Sequence, residues 1–193
     1  RKIVVIGVFS AIAAILMVLE LPVPFAPSFY GLDFSELPAL IGAFAYGPVA
    51  GVMIEFCKIL IKLVLKPSST AFVGELANFS ISCMLVLPAS VIYLFKKSRK
   101  QAILGTVVGT LIMTAFGSCF NAIYLLPKFS ELYGIPLDAI IGMGTAINPA
   151  IHSISGLVLM CVVPLNLLKG GLVSLITILV YKKLSPILKA AHK

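Results

Sequence analysis

Long apolar runs separated by short polar or proline-rich breaks dominate the chain, and their lengths set the expected elements. Residues 3–19 read as a first helix ended by Pro22, Pro24 and Pro27. Residues 38–65 are too long for one span and break at Tyr46-Gly47-Pro48, which predicts a short helix over 37–46, a tight turn, and a helix over 48–65. Pro67-Ser68-Ser69 marks the next turn, followed by helices over 71–95 and 102–126, the latter stopping at Pro127. A last helix is expected over 164–184, starting at Pro164. The stretch 128–163 is mixed, interrupted by Tyr133-Gly134-Ile135-Pro136 and Asn148-Pro149, and reads as one or two interfacial helices or a further span.

Composition decides what these helices are. Of the 193 residues, 60% are hydrophobic and 11% charged, and the mean hydropathy is +1.12. Roughly a quarter of a soluble domain is charged, so a water-soluble globule is excluded, and disorder with it. The expected fold is an all-α integral membrane protein of six transmembrane helices in a single domain over 1–193. Arg1 and Lys2 before an apolar run resemble a signal peptide, but Glu20-Leu21-Pro22-Val23-Pro24 replaces a cleavage site, so the first helix is read as retained.

The formal net charge of +8 does not indicate nucleic acid. Lysines and arginines gather at Arg1–Lys2, at Lys96–Lys100 and from Lys182 to Lys193, each group beside an apolar run. That is the pattern of cytoplasmic segments. Six spans put both termini inside, whereas a seventh at 138–163 would put the C-terminal lysines on the wrong side. Residues 20–37, with Glu20, Asp33 and Glu36 and no basic residue, should face outward.

Enzyme chemistry finds little support. Cys57, Cys83, Cys119 and Cys161 are widely spaced within apolar runs, which argues against a zinc site or a disulfide framework. His192 is in the tail, and His152 has no second ligand at metal-binding spacing. No P-loop, nucleophile elbow or dinucleotide fingerprint occurs, and Asp33 with Glu36 is an unspecific pair of loop carboxylates.

Polar residues inside a bilayer are functional candidates by their cost alone. Glu55, Lys58 and Lys62 share one helix face, where Glu55 and Lys58 can pair while Lys62 and Lys66 snorkel outward. Glu75 and Asn78 lie one turn apart and can line a cavity or cap a neighbouring helix. Asn121, Tyr124 and Lys128 sit at the outer end of the fifth helix, Asn166 and Lys169 in the first turns of the sixth. A lysine at a helix start opposes the helix dipole, so Lys169 calls for a ligand group or a carbonyl of the capping segment. Phe25, Phe29, Tyr30 and Phe34 can wall a small-molecule pocket or serve as ordinary interfacial aromatics. Gly7 with Ala11, Ser10 with Ala14, and the series Ala39, Ala43, Gly47, Gly51 have the spacing that lets helices approach closely, within the protein or against a partner.

Leu32-Asp33-Phe34-Ser35-Glu36-Leu37-Pro38 and Gly42–Gly51 resemble the first loop and second helix of the substrate-binding (S) components of energy-coupling-factor (ECF) vitamin transporters. Gly144–Pro149 and Pro164–Gly170 are similar to the riboflavin-specific members. The resemblance implies a binder of riboflavin without a cofactor, multi-pass in the bacterial plasma membrane, that works with a transmembrane coupling subunit and two cytoplasmic ATPases. It implies that Gly7 and Ala11, with Ser10 and Ala14 as further candidates, dock the coupling subunit. It also points to Asn121, Asn166 and Lys169 as polar substrate contacts. Glu75, Asn78, Tyr124 and Lys128 complete the polar set, and Phe34 and Leu40 are the apolar contacts. Two other readings stay open: an S component for thiamin or biotin, and a stand-alone carrier with an ion relay through Glu55, Lys58 and Glu75.

Overall fold

The computed structural model describes residues 2–190, so Arg1, His192 and Lys193 lie outside the described residues. Helix α1 covers Lys2–Val18. A loop follows, pinned at its base by two short antiparallel strands, β1 (Leu21–Pro22) and β2 (Gly31–Leu32). Helices α2 (Glu36–Tyr46) and α3 (Pro48–Leu65) come next, then α4 (Val73–Phe95) and α5 (Arg99–Phe120). Shorter helices α6 (Leu126–Tyr133), α7 (Leu137–Thr145) and α8 (Ile154–Leu157) precede the long α9 (Val163–Ala190).

The α2–α3 junction forms where Gly47-Pro48 predicts it. Gly47 has φ +94°, a conformation that suits glycine, and Pro48 occupies the start of α3, where a missing N–H costs nothing. The 11-residue α2 is the hub, packing against α1, α3, α4 and α9. Small residues allow this: a Cβ on Gly51 would meet Val86 and Ala43, so the small-residue series of α2 and α3 serves internal packing. Helices α4 and α5 pack closely along their length. Gly105 and Gly109 bring the backbones together, since a Cβ at either would stand 2.5 Å from a carbonyl oxygen of α4. At the basic end, carrying Lys96–Lys100, Tyr93 and Tyr181 join α4 to α9 through hydroxyls 3.0 Å apart.

Two expected helix ends are passed through. The run starting at α5 continues to Tyr133, and the last one begins at Ile154, ten residues before Pro164. In each case a π-helical turn, Asn121–Leu125 or Val158–Val162, ends two residues before the proline. Leu126 N–H bonds to Asn121 O and Val163 N–H to Val158 O, five residues back in both cases. A proline ring clashes with the carbonyl four residues earlier, and the wider turn moves that carbonyl away while satisfying its neighbours. The early start has a cap: Ser153 Oγ accepts from Gly156 N at 3.0 Å. Between the two long helical runs, residues 134–153 therefore hold one short helix, α7, and an irregular segment, 146–153, while both ends of the stretch 128–163 belong to the runs themselves.

Among the described residues, Val73–Phe95, Arg99–Tyr133 and Ile154–Tyr181 are long and apolar enough to cross a membrane. Lys2–Val18 and Glu36–Tyr46 are shorter apolar helices. Leucines, valines and phenylalanines lie exposed along the helices, among them Val64, Phe95, Leu111 and Leu179, as expected of a surface solvated by lipid rather than water.

Candidate substrate-binding site

A cavity of about 520 Å3 opens between the loop 19–35, α4, the first π turn, α6, α7 and the beginning of α9. That volume is in the range of small-molecule pockets. Its apolar wall comes from Phe29, Phe129, Leu125, Ile140, Val162 and Leu165. The loop belongs to a second core cluster, distinct from that around α2, because Val23, Ala26, Tyr30 and Leu32 are buried against residues of α4, the π turns and α7.

Below the cavity lies a buried group of charges. Lys169 Nζ stands 2.9 Å from Asp33 Oδ2 and 2.8 Å from Glu36 Oε1. Ser82 donates to Glu36 Oε1 at 2.6 Å, and Lys58 donates to Ser35 Oγ at 3.0 Å. Lys58 Nζ also approaches Glu55 Oε2 to 2.5 Å, without the alignment of a hydrogen bond. Lys58, Glu55 and Glu36 are fully buried. A charge so far from water persists only when paired and hydrogen-bonded, and three carboxylates share two ammonium groups here. Glu36 Oε2 has no hydrogen-bond partner. Burial raises the Asp33 carboxyl, but Lys169 and Lys58 more than offset it and hold the group below the usual carboxylate range.

The sequence expectation for Lys169 was a ligand group or a cap carbonyl, and the structure supplies two carboxylates instead. Asp33 and Glu36, read from sequence as an unspecific loop pair, are its partners. The signal was available: a buried lysine needs a counter-charge, and this loop carries acids and no base. An ammonium has three donors, so two carboxylates leave one for the cavity that Lys169 lines.

Asn121, Asn166, Asn78 and Glu75 also line the cavity. Asn121 is already engaged, accepting from Tyr30 Oη at 2.7 Å and donating to Gly117 O at 2.7 Å. Burial pushes the Tyr30 phenol far above its ordinary pKa, with Cys161 adding to the shift, so the group stays a neutral donor. Asn166 has no hydrogen bond among the described residues, and Asn78 has only a long contact, 3.5 Å, from Ser82 Oγ. Both amides are open to a ligand. Glu75 accepts from Lys62, Ser68 and Thr70.

The remaining expected contacts lie outside the cavity wall. Leu40 is fully buried in the core around α2, and Phe34 is half-buried between the two core clusters. Tyr124 stands exposed with its ring against Phe120, because the π turn carries its side chain outward. Lys128 pairs with Glu131 on the surface at 2.6 Å. The snorkelling expected of Lys62 and Lys66 is also replaced by pairing, with Glu75 and with Glu20. Of the α1 residues, Ser10 and Ala14 are buried while Gly7 is exposed and Ala11 half-exposed. Ser10 donates to Ile6 O and belongs with Ala14 to the side packed within the protein. Gly7 and Ala11 lie on the more exposed side of α1.

Comparison with known proteins follows the same lines. A family model described as "ECF transporter, substrate-specific component" matches residues 1–181. "Riboflavin transporter RibU" of Staphylococcus aureus is 33% identical over 98% of this chain and 93% of its own length. "Riboflavin transporter FmnP" of Bacillus subtilis is 31% identical over 96% and 93%. A solved structure reported as "Structure and mechanism of the S component of a bacterial ECF transporter" superposes with a TM-score of 0.74, at 34% identity, over 97% of both chains. These relatives are transporters, not enzymes, and with its long apolar helices the chain is a multi-pass protein of the bacterial cell membrane. A mostly helical body, a walled cavity and a family match along nearly its whole length agree: this chain belongs to the substrate-specific components of ECF transporters.

Proposed function

We propose that this chain is the riboflavin-binding membrane subunit of an ECF-type transporter, mediating uptake with a transmembrane coupling subunit and two cytoplasmic ATPases. The observation that carries the reading is the cavity itself. Aromatic walls from Phe29 and Phe129 stand beside the open amides of Asn78 and Asn166 and the spare proton of Lys169. The isoalloxazine ring is flat and largely apolar, and such a ring gains most from aromatic and aliphatic cover. Asn166 and Lys169 would meet its carbonyl edge, and Asn121 the ring or the ribityl hydroxyls. The names of the relatives support the same ligand.

The topology is read as six spans, α1 to α5 and α9, with both termini cytoplasmic. Lys96–Lys100 then falls on the cytoplasmic side, as the positive-inside rule asks, and the cavity opens outward. Gly7 and Ala11 are the docking face for the coupling subunit. A stand-alone carrier with a relay through Glu55, Lys58 and Glu75 has less support, since Glu75 engages Lys62 rather than the Glu55–Lys58 pair.

The test is the visible absorption and flavin fluorescence of the purified protein in detergent, titrated with riboflavin and then with thiamin. Saturable quenching by riboflavin alone is the expected result. A protein that ignores riboflavin overturns the assignment and leaves the fold untouched.

A further inference from the structure

The carboxylate of Glu75 is held as a bound anion would be. Lys62 Nζ donates to Oε1 at 2.5 Å, while Ser68 Oγ and Thr70 Oγ1 donate to Oε2 at 2.8 and 3.0 Å. Lys62, Thr70 and Glu75 all line the cavity. An ammonium and two hydroxyls converging on two oxygens would equally suit a phosphate monoester. Glu75 occupies that set of donors, and a second anion brought against it would meet like charge at close range.

No other cation compensates. Glu20, Asp33 and Glu75 line the cavity together with Lys62, Lys66 and Lys169, so the charges balance. Lys66 lies 3.6 Å from Glu20, and the charge of Lys169 is already matched by Asp33 and Glu36, which leaves it a free donor but no unbalanced charge. Each lysine lining the cavity among the described residues therefore faces a carboxylate.

We infer that Glu75 is a specificity-determining residue: by occupying Lys62, Ser68 and Thr70 it makes the cavity select an uncharged ligand over the phosphate monoester of the same ligand. The inference rests on the flavin reading above, and its test separates the two. The full chain, purified in detergent, is titrated with riboflavin and with riboflavin 5′-phosphate by fluorescence quenching, as wild type, Glu75→Ala and Glu75→Gln. The wild type should bind the phosphate ester at least about tenfold more weakly than riboflavin. Glu75→Ala should narrow that ratio by about tenfold, and inorganic phosphate should compete with the ester in this variant alone. Glu75→Gln keeps the shape without the charge and should narrow the ratio in the same direction, which covers an alanine variant that fails to fold. Equal binding of both forms by the wild type, or one ratio across all variants, overturns the inference. Absence of riboflavin binding by the wild type overturns the flavin reading itself.

Discussion

Lys169 on α9 and Asp33 in the loop after α1, separated by 136 positions in the chain, form a buried ion pair of 2.9 Å. The pair ties the loop over the cavity to the helix beneath it, and Glu36 closes the other side of the same ammonium at 2.8 Å. Removing one partner of a buried pair leaves an uncompensated charge, at about 3–5 kcal/mol.

Lys169→Ala should therefore weaken riboflavin binding by at least about tenfold, with a lower melting temperature as well. Quenching titrations and thermal melts in the same detergent measure both. Unchanged affinity would remove Lys169 from the site.

The Asp33 carboxyl is depressed in the folded protein. Its stabilising contribution is therefore fully present above the unfolded value of about 3.9 and is lost as pH falls through the lower folded value. Melting temperature against pH should show no loss assignable to Asp33 between pH 7 and pH 5; Asp33→Asn should remove a component seen only below about pH 4.

Gly117→Ala addresses the open amide of Asn166. The added Cβ would stand 2.8 Å from Asn166 Nδ2, so the amide must turn away. We expect several-fold weaker riboflavin binding with little change in melting temperature. Affinity equal to wild type would mean that the Asn166 amide makes no contact with the ligand.

Gly7→Leu probes the free face of α1. A Cβ at Gly7 meets nothing within 4 Å, so the isolated protein should fold and bind as before. Uptake by cells expressing the full transporter should be abolished, because a bulky side chain holds a partner helix away from the small-residue face. Lost binding in the isolated variant would show instead that the substitution disturbs the fold.

What the amino-acid sequence determined by itself was local. Apolar runs and their breaks were enough for the membrane class, for α1, α3 and α4 within a few residues, and for the α2–α3 turn at Gly47-Pro48, because length, hydropathy and turn chemistry act over neighbouring residues. The polar positions Asn121, Asn166 and Lys169 stood out for the same reason, since their cost in an apolar run is visible without knowing their partners. Tertiary structure alone decided that helices pass Pro127 and Pro164, where neighbouring helices hold a π turn open that an isolated chain would abandon as a helix end. It also turned Ser10 and Ala14 inward while Gly7 stayed free. Most of all it chose partners: Asp33 for Lys169, Tyr30 for Asn121 and Glu75 for Lys62. Periodicity says which residues share a face of one helix. Which faces meet, and so which buried charge finds its counter-charge, depends on packing every element at once.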